Sequence, residues 1–155
     1  MKVIIVYDSV FGNTKQVAYA MYEGFKKDEA VICHVNDAEI KDVMSADVMI
    51  IGSPTRAFKP TNEITKFLKS LPANSLKGKD VGVFDTRIAL EDADSGMLNM
   101  LVKLFGYADD TMIKIIKKKG GKLAAPGQGF FVKDSEGPLK DDELKHAKEW
   151  VKKIK

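Results

Sequence analysis

At 155 residues, 45% hydrophobic and 30% charged, the chain has the length of one domain, which buries roughly two-thirds of its unfolded surface. A formal charge of +3, from 25 basic and 22 acidic residues, is too mild to point to nucleic acid, and no apolar run approaches the ~18 residues of a membrane span. Cys33 is the only cysteine, which excludes an internal disulfide and suits a reducing, cytoplasmic setting. His34 and His146 show no ligand spacing, which argues against a metal site. The opening MKVIIVYDS is not followed by a small-residue cleavage site and does not read as a signal peptide.

The first apolar run, VIIVY (3–7), leads into the turn YDSVFGNT (7–14) and then a helical stripe of Val17, Ala18, Met21 and Phe25. Further short runs follow at AVICHV (30–35), DVMIIG (47–52), DVGVF (80–84) and KLAAPGQGFFV (122–132). Three of them are nearly continuous in Val and Ile, as strands buried on both faces read. Ile64, Phe67, Leu68 and Leu71 form a second helical stripe, and Leu144, Ala147, Val151 and Ile154 a third, with Trp150 as a packing residue beside it. That last helix opens on Asp141, Asp142 and Glu143 and closes on Lys152, Lys153 and Lys155, the order its dipole favours.

Segment 95–121 is long for one crossover and reads as two helices broken at Gly106, the second capped near Asp109 or Asp110. Its Met/Leu stretch 97–104 is expected to pack on the sheet, with a partner-binding surface as the alternative. The Lys117–Lys119 run reads as a solvated helix end, and Cys33 as an inert thiol in a strand. Strands alternating with helices predict an α/β fold: a three-layer, doubly wound, five-stranded parallel sheet forming one domain over 1–155.

In such sheets ligands bind beyond the carboxyl ends of the strands. A helix starting near Asn13 or Thr14 offers unpaired N–H groups and a partial positive charge. Ser9 and Thr14 add hydroxyls, and Gly12 permits close approach or positive φ. These features suit a phosphate monoester. The same residues also make ordinary caps and turns, so the stretch alone leaves both readings open. There is no GxxxxGK[ST] and no GxGxxG here.

The turn YDSVFGNT resembles the FMN phosphate loop of flavodoxins, a Ser/Thr-x-Thr/Ser-Gly-Asn-Thr pattern after the first strand. GSPTRAFKPT (52–61) and FDTR (84–87) fall where that family's two flavin-ring loops leave strands three and four, and GFFV (129–132) with GPLKDDELKHAKEW (137–150) resembles its last strand and helix. The resemblance implies a flavodoxin-like fold and FMN. Ser9, Gly12, Asn13 and Thr14 would hold the phosphate, with Val10 and Phe11 in the same loop and Phe11 lending its N–H. Pro54, Thr55, Arg56, Ala57 and Phe58 would border the ring on one side, and Asp85, Thr86 and Arg87 on the other.

Two departures stand out: Phe11 replaces the usual hydroxyl residue, and neither ring loop carries the Trp or Tyr with which many relatives sandwich the ring. No Gly lies between Ser53 and Pro60 to ease a peptide flip beside the ring, which weakens the case for a strong one-electron intermediate. Loops 53–63 and 85–94 together carry three basic and five acidic residues, a rim expected to lower the second reduction potential through Glu91, Asp92 and Asp94. The implied role is electron carriage between redox partner proteins by a monomer or weak homodimer, without nucleic acid or membrane. The competing readings are an NAD(P)H-dependent flavin or quinone reductase, a binding module that has lost FMN, and a piece of a flavo-diiron protein.

Overall fold

The structure, a computed structural model, describes residues 1–89 and 96–154. β1 (Val3–Tyr7) runs parallel to β2 (Ala30–His34) on one side and β3 (Val48–Pro54) on the other. β4 (Asp80–Ile88) pairs parallel with β3. The far side of β4 is shared by β5 (Lys122–Leu123) and β6 (Gln128–Val132), giving the order β2-β1-β3-β4 with two pieces in the fifth position. The single strand expected over 122–132 is therefore interrupted. β5 pairs Lys122 with Asp80, whereas β6 pairs Gln128 with Phe84, so four residues of this edge span two of β4. Pro126, which has no N–H to give to the ladder, lies in that bulge.

Helices cover both faces of the sheet. α1 (Asn13–Tyr22) and α6 (Glu143–Val151) pack on one face against Val3, Ile5, Ile50, Phe84 and Phe130. α3 (Asn62–Ser70) and α5 (Ala108–Lys118) pack on the other against Ile4, Met49, Ile51, Val81 and Val83. A short α2 (Ile40–Ser45) adds Val43 to that second core, and α4 (Gly96–Phe105) precedes α5. Every residue of β1 is buried, as its unbroken apolar run predicts for a central strand. Gly52 on β3 is needed for close approach, because a Cβ there would lie 2.0 Å from Phe84 Cζ.

Several expectations shift. α5 begins two residues earlier than expected, after Tyr107, whose N–H is accepted by Asp110 Oδ2 at 3.2 Å; the break at Gly106 stands, with φ 73°. On α6 the inward stripe is Glu143, Ala147, Trp150 and Val151, while Leu144 is exposed. Lys119 is no free helix end, since its Nζ donates to the Lys69 carbonyl at 2.9 Å and to that of Leu71, tying α5 to the end of α3. The Met/Leu stretch departs furthest. Met97 is 68% exposed and Leu104 69%, with Met100 and Phe105 also outward and Leu101 and Val102 half-buried, so none of the α4 side chains described there is fully buried in the core. Residues 90–95, including the rim acids Glu91, Asp92 and Asp94, lie outside the described residues. Among the described residues no helix is long and apolar enough to cross a membrane.

Candidate functional site

The order β2-β1-β3 means that the chain leaves β1 towards one edge and β3 towards the other, which opens a crevice at their carboxyl ends. The turn after β1 lies in it. Asp8, buried at the end of the strand, accepts from Ser9 N at 2.8 Å and contacts His34 Nε2 at 3.0 Å through the same oxygen. His34 Nδ1 accepts from Asn36 N at 3.2 Å, so the ring proton sits on Nε2 and is donated to Asp8. Ser9 Oγ in turn accepts from Gly12 N at 3.1 Å and Lys15 N at 3.3 Å. Gly12, at φ 93°, is the N-cap of α1; a Cβ there would meet open space, so the glycine serves the left-handed turn and not a crowded contact.

This arrangement leaves donors over. The N–H groups of Phe11, Asn13 and Thr14 meet no acceptor among the described residues, although Asn13 and Thr14 are buried and stand at the positive end of a ten-residue helix. Thr14, 1% exposed, shares a 2.8 Å hydroxyl hydrogen bond with Thr86 of β4, which locks the turn to the second ring loop.

A cleft of about 320 Å³ opens over these donors. Ser9, Val10, Phe11, Asn13 and Thr14 form its floor, Pro54, Thr55, Arg56 and Ala57 one wall, and Thr86, Arg87 and Ile88 the other. The loop after β3 turns sharply: Arg56 N donates to Lys59 O at 2.8 Å and Lys59 N to Arg56 O at 3.0 Å, with Ala57 and Phe58 at φ 46° and 69°. Two consecutive left-handed residues in a two-residue hairpin make a type I′ turn, a geometry that Asn-Gly usually supplies. Holding Ala and Phe there costs roughly 1–2 kcal/mol each. Arg56 is exposed, with its guanidinium 5.4 Å from the Phe11 ring, and Phe58 leaves the cleft wall to pair with Phe105 at 6.0 Å.

The end of β4, where the sequence reading expected a loop, is built around charge. Asp85 is 0% exposed and does not line the cleft. Its Oδ2 accepts from Thr55 Oγ1 at 2.7 Å and its Oδ1 from Arg87 Nε at 2.7 Å. Thr55 Oγ1 accepts from Ala108 N at 3.1 Å, the first residue of α5. Arg87 Nη2 lies 2.7 Å from Asp85 Oδ1 and 3.1 Å from Asp109 Oδ1, charge contacts without hydrogen-bond directionality, and the guanidinium stacks 3.8 Å from the Tyr107 ring centre. Burial pushes the Asp85 carboxyl up to about 6 despite the opposing pull of Arg87. Burial also works against the charge on Arg87, but the two carboxylates outweigh it and hold the guanidinium above its ordinary range.

Over residues 4–103 the sequence matches the profile of the Flavodoxin domain family. The chain belongs to that family. It is 32% identical over 98 residues to a flavodoxin of Aquifex aeolicus (strain VF5), an alignment covering 61% of this chain and 50% of that protein, so the match spans about half the length of the curated relative. A flavodoxin from the domain Archaea superposes with a TM-score of 0.76 at 22% identity, covering 99% of this chain and 96% of that one. A WrbA-like flavodoxin from Agrobacterium tumefaciens gives 0.67 at 20% identity over 99% and 94%. At these identities the two structures speak to fold.

A flavodoxin implies a flavin, and the residues present fit one. Three unpaired N–H groups and the partial positive charge of α1 suit a phosphate dianion, and the cleft between the two walls leads away from them. The structure adds residues that sequence reasoning missed. Val132 at the end of β6, and Ser135 and Glu136 in the loop after it, line the cleft, and that loop is fixed there by Asn13 Nδ2 donating to Glu136 O at 3.0 Å. A Cβ on Gly137 would lie 2.6 Å from Asn13 Oδ1, so only glycine lets that loop close on the turn. The sequence signal was the GPLK segment beside it; the hydrogen bond itself joins Asn13 and Glu136, 123 positions apart along the chain. The Asp85–Arg87–Asp109 cluster was also missed as a unit, because Asp85 and Arg87 lie on β4 and Asp109 on α5.

Proposed function

We propose that residues 1–155 form one FMN-binding unit that carries electrons between redox proteins. The observation that carries this reading is the set of unpartnered N–H groups at Phe11, Asn13 and Thr14, residues that all line the one cleft at the switch of the sheet. Ser9, Val10, Gly12 and the Thr14 hydroxyl complete the phosphate cradle. Pro54, Thr55, Arg56 and Ala57, with Phe58 behind them, flank the ring on one side, and Thr86 and Arg87, with Asp85 beneath, flank it on the other. When bound, FMN supplies the redox chemistry, and the protein binds it, shields it from water and sets the surrounding charge.

No side chain is needed as nucleophile or general acid for this role. The partners are redox proteins that approach the open face of the cleft, and the protein works as a monomer or weak homodimer in the cytoplasm. The single thiol, Cys33, is pushed up to about 11 by burial and the nearby acids Asp42 and Asp37, which keeps it out of the chemistry. Kinetics separate this reading from that of a nicotinamide-dependent reductase. The FMN-loaded protein should be reduced rapidly by dithionite and only slowly by NADPH. Rapid steady-state oxidation of NADPH with a quinone would assign it to the reductases.

A further inference from the structure

We propose that Asp85 is a redox-linked proton acceptor, taking up a proton as the ring bound in the cleft gains its second electron. This rests on the flavin reading above. The geometry begins with position. Asp85 is fully buried but only one residue deep, and it reaches the cleft through two lining residues, Thr55 by a 2.7 Å hydrogen bond and Arg87 by another. Negative charge placed between those walls therefore acts on the Asp85 carboxylate through protein rather than through bulk water.

The charge balance of the cluster gives the direction. Among the described residues the charged or titratable groups facing Asp85 are Arg87 on β4, Asp109 on α5 and Tyr107 just before it. From β3 and β6 its register partners are Ser53 and Gly129, which carry no charge. Two carboxylates around one guanidinium sum to −1 when both are ionised, an unfavourable setting for a ring that becomes anionic. Protonating one carboxylate brings the cluster to zero. Asp85 is the one poised to accept, because burial already holds it at about 6, within reach of physiological pH.

A unit negative charge ~6–10 Å from a carboxylate, at an effective dielectric of ~20, strengthens its proton binding roughly 20- to 100-fold. Applied to a group starting at about 6, that moves Asp85 from mostly ionised to mostly protonated at pH 7. The balance is one electron from a low-potential donor to the ring and one proton from solvent to Asp85 Oδ, with no bond broken. Arg87 keeps its proton throughout, held by Asp109 when Asp85 is neutral.

The test is the second reduction potential of the FMN-loaded protein between pH 5 and 9, together with the carboxyl ¹³C shift of Asp85 in the oxidised and fully reduced protein. The carboxyl midpoint should rise at least tenfold in proton affinity on reduction. Between the two midpoints the wild-type potential should fall with a slope approaching tenfold per pH unit, 59 mV for one electron. In Asp85→Asn the segment of the slope belonging to this group should vanish while FMN stays bound. Asp109→Asn, which removes the like charge facing Asp85, should shift the same segment to lower pH, and it serves if Asp85→Asn does not fold. An Asp85 midpoint that does not move on reduction, or identical slopes in wild type and both variants with FMN bound, overturns the proposal. Failure of the wild type to bind FMN at all would instead overturn the flavin reading on which it rests.

Discussion

Asp85 also offers a test that needs no cofactor. Burial pushes its carboxyl from 3.8 up to about 6 in the folded protein, a change worth about 3 kcal/mol. The folded state therefore binds this proton more tightly than the unfolded state. The stabilisation is fully present below about pH 3.8 and is lost as pH rises through 6. Between pH 4 and 7.5 most of this, about 2 kcal/mol, is lost, the remainder being developed only below pH 4, where the unfolded group completes its protonation. Asp85→Asn cannot titrate and keeps an oxygen for the Thr55 hydroxyl. Urea denaturation of the cofactor-free wild type and variant across this range isolates the term, because every other group cancels in the difference. Stability of the variant relative to wild type should rise by about 2–3 kcal/mol from pH 4 to 7.5. With a urea slope of roughly 2 kcal/mol/M that is a relative midpoint shift of about 1 M. Parallel pH profiles in the two proteins would refute the claim that burial outweighs Arg87 in setting this carboxyl.

Other outcomes follow from the same geometry. Gly12→Val, at φ 93°, should cost about 1–2 kcal/mol in folding stability and abolish tight FMN binding, whereas Thr14→Ala should weaken FMN by about 1–3 kcal/mol; unfolding of both without selective loss of FMN would leave the turn a mere cap. Ala57→Gly should raise the melting temperature, with a gain of about 0.5–1 kcal/mol from relief of the left-handed turn, and no gain would show that the turn is unstrained. Leu104→Glu should change stability by less than about 0.5 kcal/mol because its side chain is 69% exposed, while Leu68→Ala in the second core should cost about 2–5 kcal/mol; calorimetry on the two variants checks the contrast.

The sheet was legible because buried parallel strands advertise themselves. VIIVY and DVMIIG have no polar face, and the strands they predict are buried nearly throughout. The turn after β1 was legible for a similar reason: its geometry is local, contained in six consecutive residues and a helix start. What escaped was whatever depends on distant chain or on the absence of a covering layer. The Met/Leu stripe of α4 has the spacing of a core helix, and nothing within the stripe tells that Met97, Met100 and Leu104 are exposed. The bulge between β5 and β6 was signalled by Pro126, but its size is fixed by the register with β4. Asp85 reads as a loop acid until Arg87, Asp109 and Thr55 close over it from three elements.

The central claim is that the donors left over at the end of β1 hold the phosphate of FMN. Parallel calorimetric titrations of the cofactor-free protein with FMN and with riboflavin test it most directly, since the two ligands differ only in that group. FMN should bind at one per chain and at least ~100-fold more tightly than riboflavin, because several charge-assisted hydrogen bonds of about 1.5–3 kcal/mol each go to the phosphate. Equal affinity for the two, or no binding of either at high micromolar concentration, would contradict the account.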